Sequence, residues 1–310
     1  MTKLHIAVIM GGISSERAVS LRSGANAAAA LDRGKFDVTM VDFTGDVAQI
    51  TALAGVVDVA MLMLHGPGGE DGRIQGLLDL LHIPYTGSGV LGSALAMHKG
   101  VAKAIYRDAG IPTPRGIVAE AGDRCLSEAV FSNIGYPCVV KPANEGSTIG
   151  ISLVQNTEEL EEALERAFQF DSELVIEEFV RGMEISVPVL GTEVLRTLPA
   201  VEIIPQSGWY DYEMKYTAGA TEEICPARLT EEQAERAAEL ALKAHRALCL
   251  KGISRTDMIV TDYDLIVLET NTLPGMTDTS LVPLCARTVG ISFSELLEIL
   301  IADAREIHNG

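Results

Sequence analysis

The sequence predicts a chain of mixed α/β and α+β class, with three domains in series and a doubly wound α/β layer first. Three observations carry this. Short apolar runs alternate with helical patterns over residues 1–93, the signature of strands and crossover helices in a parallel sheet. A breaker cluster, Gly110-Ile111-Pro112-Thr113-Pro114, then stops a helical stretch, and beyond it strands and helices no longer alternate one for one. Finally, 310 residues exceed what a single ordinary core holds. The expected divisions are 1–93, 94–181 and 182–310.

In the first segment, residues 6–10 and 36–41 read as strands and 17–31 as an alanine-rich helix. Residues 57–64 form a near-continuous apolar run, as expected of a strand buried on both faces. Ligands of such layers sit at the carboxyl ends of the strands. Gly11-Gly12-Ile13-Ser14 and His65-Gly66-Pro67-Gly68-Gly69 fall there. A helix is expected over 93–109. Strands follow at 137–141, 150–154 and 174–179, with a helix at 156–170 opened by Asn156 and Glu159 as a capping box. Further on, strands are expected at 185–189 and 197–204, a long loop at 208–221, and a helix capped by Thr230 with Gln233. A hairpin of 257–261 and 265–271 then precedes a final helix.

Composition narrows the partners. The chain is 47% hydrophobic and 22% charged, so it can bury cores. A net charge of −19 argues against a sequence-independent grip on nucleic acid or an anionic membrane. Cys125, Cys138, Cys225, Cys249 and Cys285 are scattered and lack CxxC spacing. They read as reduced packing thiols, without a zinc site or disulfide framework. Met1-Thr2-Lys3-Leu4-His5 runs straight into a strand, and no apolar run reaches the ~18–20 residues needed to span a bilayer. A cytoplasmic protein is expected.

Two nucleotide signatures are missing. Gly34-Lys35 is followed by Phe36, so there is no Walker A loop, and no glycine-rich turn matches G-x-G-x-x-G. The stretch Lys141-Pro142-Ala143-Asn144-Glu145-Gly146-Ser147-Thr148-Ile149-Gly150 is more informative. A small-residue loop between two strands can fold over phosphates, offering N–H donors while Lys141 adds charge; the plain alternative is a hairpin loop with a solvated lysine. In the C-terminal hairpin, alternation puts Glu269 and Asn271 on one face. If Asp262-Tyr263-Asp264 make a three-residue turn, Asp257 stands opposite Glu269. Two acids paired across strands repel unless a cation lies between them. With the Asn271 amide they form a hard oxygen set suited to Mg²⁺.

Six motifs occur in order: Gly11-Gly12-x-Ser14-x-Glu16-Arg17, His65-Gly66-x-Gly68-Gly69-Glu70-Asp71-Gly72, Tyr85-Thr86-Gly87-Ser88-Gly89, Lys141-Pro142 with Glu145-Gly146-Ser147, Tyr210-Asp211-Tyr212-Glu213-x-Lys215-Tyr216, and Glu269-x-Asn271-x-x-Pro274-Gly275-Met276. Together they resemble the D-alanine–D-alanine ligase family of the ATP-grasp superfamily over essentially the whole chain. The resemblance implies a three-domain ATP-grasp architecture. It also implies ATP-dependent ligation of two D-alanines through a D-alanyl phosphate, for peptidoglycan precursor synthesis. ATP is then a substrate, two Mg²⁺ or Mn²⁺ ions act as cofactors, and a homodimer is expected.

The resemblance also implies roles. Lys99 and Lys141 contact the ATP phosphates; Glu177, Glu178, Phe179 and Val180 line the adenine pocket, with Glu184 on the ribose. Many family members have lysine where Glu178 stands, and a serine where Thr148 stands. Asp257, Glu269 and Asn271 hold metal. Glu16, with Ser147 and Tyr216, takes the first substrate's ammonium, and His65 lies nearby. Arg255 and the Gly275 N–H face the developing oxyanion. Ser280, the Leu281 N–H and Lys215 take the second carboxylate. The 208–221 loop is the expected lid, and no covalent enzyme intermediate is expected. Sister ligases using D-lactate or D-serine, and non-catalytic nucleotide binders of the same architecture, are the rival readings.

Overall fold

The structure, a computed structural model, describes residues 3–123, 126–146, 149–205, 221–277 and 279–309. The first layer contains β1 (Leu4–Gly11), α1 (Arg17–Ala30), β2 (Phe36–Phe43), α2 (Val47–Thr51), β3 (Val59–Leu62) and α3 (Arg73–Leu80). Its strands are parallel in the order β2-β1-β3. Successive residues of β1 serve opposite cores. Ile6 and Val8 pack with Ala27 of α1 and with Leu297 and Ile301 near the C-terminus. Ala7 and Ile9 pack with Ile74 and Leu78 of α3. Both faces of β1 and β3 are covered, which is why those two strands read as apolar runs, whereas the edge strand β2 is largely exposed.

Next come α4 (Val90–Met97), α5 (Lys99–Asp108), β4 (Gly116–Glu120), α6 (Leu126–Asn133), β5 (Cys138–Pro142), β6 (Ser152–Val154), α7 (Thr157–Ala167) and β7 (Glu173–Glu178). The four strands form an antiparallel sheet in the order β4-β7-β5-β6. One face buries Val140, Val154 and Ile176 against Leu160 and Ala163 of α7 and Val130 of α6. The opposite face carries Val139, Lys141 and Glu177 into a cleft.

The last set is β8 (Met183–Gly191), β9 (Arg196–Thr197), β10 (Val201–Pro205), β11 (Thr221–Ile224), α8 (Glu231–Ala247), β12 (Gly252–Val260), β13 (Leu265–Asn271), α9 (Leu281–Thr288) and α10 (Phe293–Asn309). The sheet runs β11-β10-β8-β12-β13, with β9 beside β8. Val187, Met258 and Val267 face Leu240 and Ala244 of α8. The other face of this sheet closes the cleft. The C-terminal α10 crosses back to pack on α1 and β3 of the first layer. Among the described residues, no helix is long and apolar enough to cross a membrane.

Local chemistry explains the helix starts. Thr230 accepts the Gln233 N–H at 3.2 Å while Gln233 accepts the Thr230 N–H at 3.0 Å. Asn156 accepts the Glu159 N–H at 3.0 Å, but the capping box expected there is half made, because the Glu159 carboxylate accepts the Gln155 N–H at 2.8 Å instead of that of Asn156. Three further expectations need correction. The single helix at 93–109 is two helices that break at His98, where ψ is 96° and the imidazole Nδ1 accepts the Val101 N–H at 3.3 Å. The strand at 197–204 is divided between β9 and β10. The final helix is likewise two, α9 and α10.

Two stability predictions follow from this packing. A Cβ on Gly182, between β7 and β8, would collide with the Val260 carbonyl oxygen, a backbone atom that cannot rotate away. Gly182→Ala should cost ~1–3 kcal/mol, read as a lower urea midpoint; an unchanged midpoint would contradict this packing. His245 of α8 is fully buried against Ser254 of β12, with a 2.7 Å hydrogen bond. Burial, with Arg246 adding, pushes its imidazole down to about 4. Below pH 6.5 the unfolded chain takes up a proton the folded chain refuses, so this contribution is present above pH 6.5 and is lost as pH falls towards 4. Burial and Glu306 push the Asp303 carboxyl up to about 6, which acts in the opposite sense over part of the same window. The readout is therefore a difference. Relative to His245→Asn, the unaltered protein should lose roughly 3 kcal/mol between pH 7 and 4; parallel curves would refute it.

Candidate active site

The hairpin of β12 and β13 sets the acidic wall of the cleft. Asp257 pairs with Glu269 and Arg255 with Asn271 across the strands. The turn is not the three-residue one expected. Val260 pairs with Leu265, and Thr261 donates its N–H to the Asp264 carbonyl at 3.0 Å, so four residues make the connection. A bulge then shifts the register between Met258 and Asp257, leaving Leu268 as the extra residue. The bulge restores the opposition of the two acids and turns both Leu268 and Glu269 into the cleft.

Asp257 is 8% exposed. Its carboxylate accepts from Ser186, from Arg255 Nε at 2.9 Å and a terminal guanidinium nitrogen at 2.7 Å, and from Asn271 Nδ2 at 3.2 Å. Glu269 is more open, with the Lys99 ammonium 4.0 Å away. Lys99 opens α5, where the helix dipole disfavours a cation. It is held by its own N–H on the Ala143 carbonyl at 2.9 Å and by its ammonium on the Glu145 carbonyl. The break at His98 thus delivers Lys99 to the phosphate-type loop.

The basic wall lies on β5 and β7. Glu177, 1% exposed, ion-pairs with Lys141 and, at 2.7 Å, with Lys103 of α5. Burial pushes the Glu177 carboxyl up, but the two ammonium groups outweigh it and hold it below the usual range. Burial likewise opposes charge on Lys141, and Glu177 and Glu269 overcome it, raising the ammonium's pKa. Lys103 was not singled out in the sequence. Its signal is its place four residues after Lys99 and three before the buried Tyr106, on the inward stripe of a helix.

Glu178 is turned onto Arg115, accepting its backbone N–H at 2.9 Å and its Nε at 2.8 Å. Arg115 is a second residue the sequence reading passed over. Phe179, Val180 and Glu184 continue the lining of the cleft, whose volume is about 650 Å³. The cleft therefore brings together Lys99, Lys141, Glu177, Glu178, Phe179, Val180, Glu184, Asp257 and Glu269, with Asn271 bonded to Asp257 behind them.

A second group lies towards the first layer. Glu16, 6% exposed, precedes α1. Its Oε2 lies so near the backbone of two glycines that a Cβ on Gly66 would come within 2.9 Å and one on Gly146 within 2.6 Å. Gly146 also lines the cleft, so Glu16 reaches its edge. Burial pushes the neighbouring Glu145 carboxyl up. His65 has both ring nitrogens engaged, Nδ1 with the Leu273 carbonyl at 3.1 Å and Nε2 with Ser23 Oγ at 3.2 Å. It ties the first layer to the segment after β13. Ser280 precedes α9 and accepts the Thr277 N–H at 2.9 Å. A Cβ on Gly275 would come 3.0 Å from Ser280 Oγ, and Leu281 begins the helix beside them. Ser147, Lys215 and Tyr216, with most of the expected lid, lie outside the described residues.

Two antiparallel sheets that close on one cleft, with lysines on one wall and paired acids on the other, define the ATP-grasp class. Residues 45–88 match the family described as D-ala D-ala ligase N-terminus, and residues 105–302 match D-ala D-ala ligase C-terminus. The chain belongs to the D-alanine–D-alanine ligase family. It is 50% identical over 306 residues to the D-alanine–D-alanine ligase of Syntrophobacter fumaroxidans, covering 98% of each chain. Among solved structures, the D-alanine–D-alanine ligase of Bacillus anthracis superposes with a TM-score of 0.88 at 36% identity, covering 99% of both chains. The same organism's enzyme complexed with ATP superposes at 0.86 with 34% identity, again over 99% of both chains.

Proposed function

We propose that this protein joins two D-alanines to D-alanyl-D-alanine at the expense of ATP, through a D-alanyl phosphate, as a step in peptidoglycan precursor synthesis. The observation that carries this is the cleft between the two sheets. Lys99 and Lys141 face the acids of β12 and β13 across it, and Glu16 sits at its edge.

The chemistry explains why such a site is needed. A carboxylate oxygen is a poor leaving group, so the first D-alanine is activated by transfer of the γ-phosphoryl group, a step governed by positioning and charge neutralisation. Lys99 and Lys141 bind the triphosphate, residues 177–180 hold the adenine and Glu184 the ribose. Asp257, Glu269 and Asn271 fit a magnesium or manganese ion. Their donors are hard oxygens, and the acids oppose each other across two strands, an arrangement that favours an intervening cation. Such ions, two in this reading, would neutralise the phosphate oxygens.

Glu16 binds the first ammonium, assisted by Ser147 and Tyr216, with His65 bracing the strand end behind it. The neutral amine of the second D-alanine, whose carboxylate rests on Ser280, the Leu281 N–H and Lys215, attacks the acyl phosphate. Arg255 and the Gly275 N–H then stabilise the tetrahedral oxyanion, which collapses to dipeptide and phosphate. Water must be kept out, and the 208–221 loop is the lid. The division at 93/94 and 181/182, a cytoplasmic location and a homodimer belong to the same reading. Its support for the division is that each sheet draws its strands from one segment only.

The test is phosphate release from ATP with D-alanine, with the product identified by mass. Dipeptide formed with D-alanine but not L-alanine is the expected result; silence with every amino acid would leave a nucleotide-binding protein instead.

A further inference from the structure

Lys103 is absent from the cleft lining yet touches both of its walls. Its side chain is 3% exposed, with Nζ 2.7 Å from Glu177 Oε2. The same ammonium donates to the Leu268 carbonyl at 2.9 Å and to Thr113 Oγ1 at 3.3 Å. Leu268 is the bulge residue next to Glu269, while Glu177 is the counter-ion of Lys141. One buried ammonium therefore connects the acid of the C-terminal hairpin with the lysine of the central sheet.

We propose that Lys103 is a positioning residue for the nucleotide phosphates, sharing Glu177 with Lys141 so that Lys141 keeps charge to offer a ligand, and fixing the bulge that presents Glu269. This rests on the ligase reading for the identity of the ligand. The charge count supports it. Two lysines and one glutamate leave one net positive charge beside the cleft. Without Lys103, Glu177 and Lys141 become a closed neutral pair, and a phosphate would have to compete with a buried carboxylate for the same ammonium. A purely structural ion pair would not require one carboxylate to serve two cations, nor a link to the bulge carbonyl.

The test is direct binding by calorimetry, which needs no turnover and so reads Lys103 even if the ligase assay fails. Lys103→Gln keeps a donor for the Leu268 carbonyl and removes the charge. It should weaken a non-hydrolysable ATP analogue about tenfold, while leaving adenosine, which has no phosphate, unchanged. Adding Glu177→Gln frees Lys141; because Glu177 also borders the adenine subsite, the readout is the ratio of analogue to adenosine affinity, which should return to within about threefold of that of the unaltered protein. Equal losses for analogue and adenosine, no loss for either, or a double variant that binds no better than the single would each overturn the proposal. Should Lys103→Gln alone not fold, Lys103→Gln/Glu177→Gln, which keeps a donor for the Leu268 carbonyl, is compared with Glu177→Gln alone: a ratio of analogue to adenosine affinity within about threefold supports the proposal, and a tenfold lower ratio overturns it.

Discussion

Glu269→Gln lowers ATP-dependent phosphate release at least about a thousandfold and leaves the melting temperature unchanged or slightly higher. The two halves of this prediction have one cause. In the folded chain Glu269 stands opposite Asp257, and two acids paired across neighbouring strands repel. Removing one of them relieves the strand pair. The lost hold on a divalent cation removes several kcal/mol of transition-state charge stabilisation, and each 1.36 kcal/mol is a factor of ten in rate. Gln keeps the length and shape of Glu, so the bulge at Leu268 and its bond to Lys103 should survive. Steady-state phosphate release and a thermal melt on the same preparation check both. A near-normal rate would remove Glu269 from the metal site. A marked fall in melting temperature would mean that its pairing with Lys99 is structural.

How much of this was legible in the sequence depends on how local the cause is. The capping pairs at Asn156 and Thr230 were readable because donor and acceptor lie three residues apart. Strand β1 was readable because burial on both faces writes itself as an unbroken apolar run. The opposition of Asp257 and Glu269 was anticipated from a three-residue turn, but it arises from a four-residue turn plus a bulge. The two departures cancel. Nothing in Leu265-Ile266-Val267-Leu268 marks which residue is extra, since the bulge is held from outside by Lys103. The helix break at His98 has only Gly100, two residues on and inside the first turn of α5, to announce it. It is held by contacts remote in the chain, the Lys99 N–H on Ala143 and the His98 imidazole 3.3 Å from Glu173. Lys103 was missed for the same reason: its counter-ion Glu177 lies on β7, remote in the chain.

Arg255→Met should lower kcat by about 10²–10³-fold, the usual loss for a fixed donor to a developing oxyanion, and unlike Glu269→Gln it should also destabilise the fold. Arg255 is itself 8% exposed, and its guanidinium bonds both oxygens of the equally buried Asp257. Taking it away leaves a buried carboxylate with only Ser186 and the Asn271 amide, a change of the kind that costs about 3–5 kcal/mol. The two effects separate in a second variant. Arg255→Met/Asp257→Asn buries no unpaired charge, so its melting temperature should return most of the way to that of the unaltered protein. Turnover should not return, because neither the oxyanion donor nor the metal carboxylate is restored. Recovery of activity alongside stability would make Arg255 only a counter-ion for Asp257. Stability that fails to recover would mean that Arg255 is anchored by groups other than Asp257, on the β11 side where Glu223 lies within its electrostatic reach.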